Sequence, residues 1–217
     1  MTAEEAIRRR RSAPRFDPGR PVPDGPIVRL LTLAGLAPSK HNLQPWRWLV
    51  VRQPGNLDRL RRASYAHPAL GEATVALVVL GHHFPHRSHW GAILGQMQAG
   101  ASLGPEASGR LDAEVRRDLA SEPDLPCRAC KDAAFASATL MIAAEGLGLA
   151  TAPIDRFDPD AIRDDFGIPV DHALCGLIAL GYPAPGHAEV PSLGRLPLSE
   201  LCFEEHFGQP WTLGEAD

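Results

Sequence analysis

The chain has 217 residues, 44% of them hydrophobic and 22% charged, a globular composition with enough apolar mass for a sizeable core. Its 22 Lys and Arg against 26 Asp and Glu leave a net charge of −4, neither the basic footprint of a nucleic-acid binder nor an acidic tail, so a small-molecule partner is expected. No apolar run approaches the roughly 18 residues of a membrane span, and MTAEEAIRRRR lacks a secretory apolar core, so a cytoplasmic protein without membrane contact is expected.

In chain order, Thr2 and Glu5 form a capping-box pattern, and residues 3–11 read as a short basic helix stopped by Ser12, Ala13 and Pro14. Asp24 and Pro26 open a second helix, in which Ile27, Leu30, Leu31, Ala34 and Leu36 recur at helical spacing up to Pro38. Trp46–Val51 alternates as a strand, residues 56–64 read as a charged helix, and the apolar run 75–80 reads as a strand buried on both faces. Residues 81–90, GHHFPHRSHW, read as a loop, and residues 91–128 carry little signal beyond helical character over 111–120. Residues 131–146, KDAAFASATLMIAAEG, are apolar or small on nearly every face, which predicts a central helix buried all round. A strand over 149–154, a helix capped by Asp158 and closed at Gly167, and a strand over 174–180 follow. This alternation predicts one domain over 1–217, an α/β or α+β sandwich with helices on both sheet faces. The tail 191–217 has no strong period, but Leu196, Leu198, Leu201, Phe203, Phe207 and Trp211 make it too apolar to be free, and docking on a partner subunit is expected.

Several residue groups carry chemistry. Arg8, Arg9, Arg10, Arg11 and Arg15 lie close around Ser12, a density suited to gripping a phosphate, although a solvated cationic helix end has the same look. Residues 38–44, PSKHNLQ, offer many hydrogen-bonding groups between two rigid elements, which suits the edge of a planar heteroaromatic ring; a plain polar connection reads the same way. His82, His83, His86 and His89 have metal-compatible spacings but no zinc signature, so no metal is expected and they are read as surface or substrate-gate residues. Cys127 and Cys130 form a lone CxxC without a second pair. The four cysteines, with Cys175 and Cys202, are too few and uneven for a disulfide framework, so reduced thiols are expected.

Taken together, RRRRSAPRF, PSKHNLQPWRWLVV, GLGLATAPIDRFDPDAIRDDFGIP, LIALGYP and GRLPLSEL, in this order, resemble the nitroreductase family. The resemblance implies an α+β sandwich whose central, mostly antiparallel sheet is flanked by helices. It further implies a homodimer binding FMN, reduced by NADH or NADPH and passing hydride to an electron-poor small molecule such as a nitroaromatic or quinone. Carried over by position, Arg10, Arg11 and Ser12 would meet the FMN phosphate and ribityl chain. Pro38, Ser39, Lys40, Asn42 and Gln44 would meet the flavin, with His41 near the substrate. Pro153, Ile154 and Asp155 would line flavin N5, and Arg195 would hold the phosphate. No side chain is expected to act as a nucleophile, since FMN carries the redox step. The chain departs from the family pattern at Pro14, where a cation is usual, and at Lys40, Arg156 and Leu193. Arg15 stands beside Pro14 as a possible substitute cation. These departures keep open a non-turnover flavin carrier or sensor, and a relative that uses reduced flavin for dehalogenation or flavin breakdown.

Overall fold

The computed structural model describes residues 1–100, 103–186 and 194–211. Its centre is a four-stranded sheet of β1 (Trp46–Val51), β2 (Val75–His82), β3 (Ala150–Ile154) and β4 (His172–Gly181). The strand order is β1-β2-β4-β3 and every pairing is antiparallel, so the α+β reading holds. β2 is apolar without interruption because both of its faces are covered. Ala76, Val78 and Leu80 pack with Leu60 of α3 (Pro54–Ala63) and Ile162 of α8 (Pro159–Phe166). Val75, Leu77 and Val79 pack on the opposite face with Leu30 of α2 (Asp24–Ala34) and Leu140 of α7 (Leu125–Gly146). The capping box at Thr2 opens α1 (Ala3–Arg9), and the Asp158 carboxylate caps α8, which closes on Gly167 at a left-handed φ of 62°.

α7 begins six residues earlier than the sequence suggests, with the Asp124 side chain accepting from the Cys127 N–H at its start. Ala129, Asp132, Ala133, Ala136, Leu140 and Ala144 form its buried stripe. These small residues let the helix lie very close to the sheet. At the crossing, a Cβ on Gly81 would sit 2.8 Å from the Ala129 carbonyl carbon. The expectation of burial all round is corrected here, because a sheet covers only one side of a helix. Ala134 and Ala138 are exposed, and Phe135 is 45% exposed.

The segment read as a loop is also corrected. β2 runs on to His82, Pro85 opens the single turn α4 (Pro85–Ser88), and Trp90 starts α5 (Trp90–Ala99). With α6 (Pro105–Ala120), this region forms a third apolar cluster of Leu43, Trp90, Ile93, Val115 and Leu119, so the weakly patterned stretch packs against Leu43 of the signature loop. The expectation of reduced thiols fails for one pair: Cys130 of α7 is joined to Cys175 of β4, with Cα atoms 5.1 Å apart. The β2–β4 register shifts where Val79 faces Gly176 and Leu80 faces Leu174, which leaves Cys175 as the bulged residue that can turn toward α7. Cys127 and Cys202 are free. No helix among the described residues is long and apolar enough to cross a membrane.

The Gly81–Ala129 contact leaves no room for a side chain. Gly81→Ala should lower unfolding free energy by about 1–3 kcal/mol in urea titration, the usual cost of overpacking, whereas unchanged stability would show that α7 has slack there.

Candidate functional site

The loop between α2 and β1 is bound mainly to itself and to the helices beneath it. His41, Asn42 and Gln44 hold left-handed φ values of 51°, 56° and 46°, which non-glycine residues adopt only when their surroundings enforce it. The Gln44 N–H donates to Ser39 Oγ at 3.0 Å, and the Leu43 N–H to the Lys40 carbonyl at 3.0 Å. Gln44 Nε2 donates to the Asn42 carbonyl at 3.2 Å. The Lys40 backbone faces the carboxylate of Asp132, a buried α7 residue, and favours its charged form. Burial raises the pKa of Asp132, and Arg128 is the largest opposing influence. From α6, Asp118 Oδ2 lies 2.9 Å from Lys40 Nζ and 3.0 Å from His41 Nε2. These partners, Lys40 first, hold the Asp118 carboxyl below its usual range. Much of the donor array that the sequence offers to a ring is therefore spent internally. Pro38, Lys40 and Asn42 remain exposed, while Ser39 and Gln44 are half-buried.

A second group stands at the end of β3. Ser12 bridges Thr151, and the Ala13 N–H donates to the Thr151 carbonyl at 2.9 Å, so the segment after α1 runs along the outer edge of β3. This places Ser12 alongside Thr151, two positions before Pro153, with Arg10 and Arg11 leading in toward the start of β3. Pro153 and Asp155 are exposed, whereas Ile154 between them is buried and paired with Leu177 of β4. Arg11 Nη1 donates to the carbonyls of Arg8 at 2.6 Å and Arg10 at 2.9 Å. Burial raises the carboxyl pKa of Glu145, at the far end of α7, with Arg9, Arg10 and the Arg11 backbone nearby opposing. Thr151 Oγ1 is buried beside this cationic mouth without a hydrogen-bond partner. Cations, an exposed hydroxyl and an unpartnered buried hydroxyl form a donor set that fits a phosphate.

Other predicted contributors lie elsewhere. Arg15 is paired with Glu72 at 2.5 Å and so does not stand free to replace the cation missing at Pro14. Arg156 lies over the Tyr65 ring at 4.8 Å. Arg195 is exposed and Nη1 donates to the Gly194 carbonyl at 2.6 Å; it is not brought to either group. Leu193 lies outside the described residues.

The loop and the β3-edge group stand apart in one chain. β1 and β3 are opposite edges of the sheet. Asp132, under the loop, and Glu145, beside Arg11, are 13 positions apart on α7, or about 20 Å at the helical rise. One chain thus carries the two groups at the two ends of one helix.

The histidines separate into different environments. His89 accepts from Arg47 Nη2 through Nδ1 at 3.0 Å, which leaves Nε2 to donate to the Leu43 carbonyl at 2.6 Å and pin the signature loop from the β1 side. His82 is paired in register with His172, their rings stacked 4.6 Å apart, and the Asp171 carboxylate reaches both. Burial, then His172, lowers His82 from 6.5 to about 4. Asp118, Asp132 and Glu145 were not singled out from sequence. Asp132 leaves a trace as a carboxylate in an otherwise apolar stripe, whereas Asp118 leaves none.

The chain can be compared with known proteins. The nitroreductase family model matches residues 7–182. The chain belongs to the nitroreductase family. It is 32% identical to a Thermus thermophilus protein named NADH dehydrogenase, covering 94% of this chain and 96% of that one. It is 27% identical to protein DrgA of Synechocystis, covering 93% of this chain and 95% of that one. A nitroreductase-type protein of Exiguobacterium sibiricum, solved in complex with FMN, superimposes with a TM-score of 0.86 at 23% identity, covering 94% and 98% of the two chains.

The depressed His82 pKa has a pH consequence. The unfolded chain binds a proton near 6.5 that the fold resists down to about 4, so this contribution to stability is complete above 6.5 and is lost across that window. The loss should reach about 3 kcal/mol by denaturant titration at pH 4, and His82→Asn should flatten the slope; an unaltered slope would contradict the assignment.

Proposed function

We propose that this member of an oxidoreductase family is an FMN-dependent enzyme that passes hydride from NADH or NADPH to an electron-poor acceptor such as a nitroaromatic or quinone, working as a homodimer. The observation that carries this reading is the cationic mouth of Arg10, Arg11 and Ser12 set against the β3 edge at Thr151, two residues before the exposed Pro153. The FMN held by the Exiguobacterium relative, and the name of the Thermus relative, support the same chemistry.

When bound, FMN supplies the redox chemistry by accepting and releasing hydride at N5. The protein's part is to bind and orient. Arg10, Arg11 and Ser12, joined by Arg195 from the tail, would hold the phosphate through charge-assisted hydrogen bonds. The backbone of Pro153, Ile154 and Asp155 would lie along the ring. Pro38, Ser39, Lys40, Asn42 and Gln44 would reach the ring from a second copy, which removes the 20 Å separation along α7. The exposed α7 face of Ala134, Phe135 and Ala138 offers that copy a contact of small residues around one aromatic. Leu196, Leu198, Leu201, Phe203, Phe207 and Trp211, all exposed in one chain, offer it an apolar tail. His41, bonded to Asp118 and largely covered, is suited to shaping the substrate side, with protons supplied by water.

One observation favours a second reading. Arg15 is committed to Glu72, so the cation missing at Pro14 is not restored from that position, and weak reduction by nicotinamide would follow in a flavin carrier or sensor. Anaerobic spectroscopy separates the two. The purified protein should be yellow, bleach with NADH or NADPH, and regain its colour with a nitroaromatic or quinone; a yellow protein inert to both donors would leave the carrier reading standing.

A further inference from the structure

The signature loop's only lysine is held by a helix that no motif marks. Asp118 Oδ2 accepts from Lys40 Nζ at 2.9 Å and meets His41 Nε2 at 3.0 Å, so α6 holds two neighbouring side chains of the loop through one carboxylate. The buried Asp132 carboxylate of α7 lies close to the Lys40 backbone. Glu114, one turn before Asp118, brings a second carboxylate to the same place, and the ammonium on Asp118 already supplies the cation that such a cluster would otherwise attract.

An isolated surface ion pair would contribute little. Three observations set this one apart. Both bonds converge on one carboxylate oxygen, and the His41 side chain is only 12% exposed. Asp118 lies in the last turn of α6, where the helix dipole disfavours a carboxylate, so α6 itself gains nothing from it. The next residue, Leu119, packs in the cluster that buries Leu43, so apolar and polar contacts seat α6 on the same loop.

Resting on the FMN reading above, we propose that Asp118 is a positioning residue that holds the Lys40 ammonium on α6, keeps the loop in its left-handed conformation, and withholds a positive charge from the flavin. A cation near the ring stabilises the anionic reduced form, and charge around the ring is how a protein tunes flavin electronics. Lys40 stands where the family pattern has serine, so its charge needs a neutralising partner if the potential is to stay low.

The test uses the full chain in two states. In FMN-free protein, Asp118→Asn should speed hydrogen exchange of the amides of residues 39–44 about tenfold, and Asp118→Glu should restore part of the protection. In FMN-loaded protein, Asp118→Asn should favour reduced FMN about tenfold, a rise of about 30 mV for a two-electron couple, and Lys40→Met added to Asp118→Asn should cancel the rise. Unchanged loop exchange in Asp118→Asn would overturn the clamp, and an unchanged or lower potential would overturn the charge argument. A wild-type protein that never binds FMN would instead remove the cofactor reading, with the exchange result still deciding the clamp.

Discussion

The structure depends on how closely α7 lies on the sheet. Gly81 gives up its side chain so that the Ala129 backbone can approach β2, and a stripe of alanines continues that approach along the helix. The Cys130–Cys175 disulfide ties the same helix to the β4 bulge. With α7 fixed, its two carboxylates are fixed as well. Asp132 faces the Lys40 backbone beneath the signature loop, and Glu145 lies near the Arg11 backbone beside the β3 edge. The helix acts as a spacer that sets the loop and the β3-edge group about 20 Å apart.

Both carboxylates sit where burial disfavours their charge, and in each case nearby cations and a backbone donor oppose that cost. Such groups make the backbone around them specific, because an alternative placement of the loop would leave a desolvated carboxylate without its partner. This accounts for three departures into left-handed φ within four residues, at His41, Asn42 and Gln44, without a glycine among them. His89, at the junction of α4 and α5, and Asp118 and Asp132, from α6 and α7, approach the loop, so the conformation is imposed from several directions.

Much of the fold was legible in the sequence. The strands at 46–51 and 75–80, the Asp158 cap and the Gly167 stop depend on local pattern, and each element formed with its ends shifted by at most a few residues. Residues 81–90 and 91–128 were not legible, because their order comes from contacts distant in sequence, such as Trp90 and Leu119 with Leu43. The disulfide was hidden for the same reason: 45 positions separate its cysteines, and a bulge that no local pattern announces aims one of them. The motif blocks located the candidate contacts but not their occupancy. Only the structure shows that Lys40 and Gln44 spend donors, and Ser39 an acceptor, on their own framework and that Arg15 belongs to Glu72.

The central claim is that a complete site joins the loop of one chain to the β3 edge of another. Co-expression of two differently tagged chains tests it, one carrying Arg10→Glu with Arg11→Glu and the other Asn42→Trp. A mixed dimer would then pair both defects in one site and leave the other site intact. The account predicts one FMN per purified mixed dimer, with neither parent variant binding FMN alone. Mixed dimers that bind none would place the whole site within a single chain and contradict it.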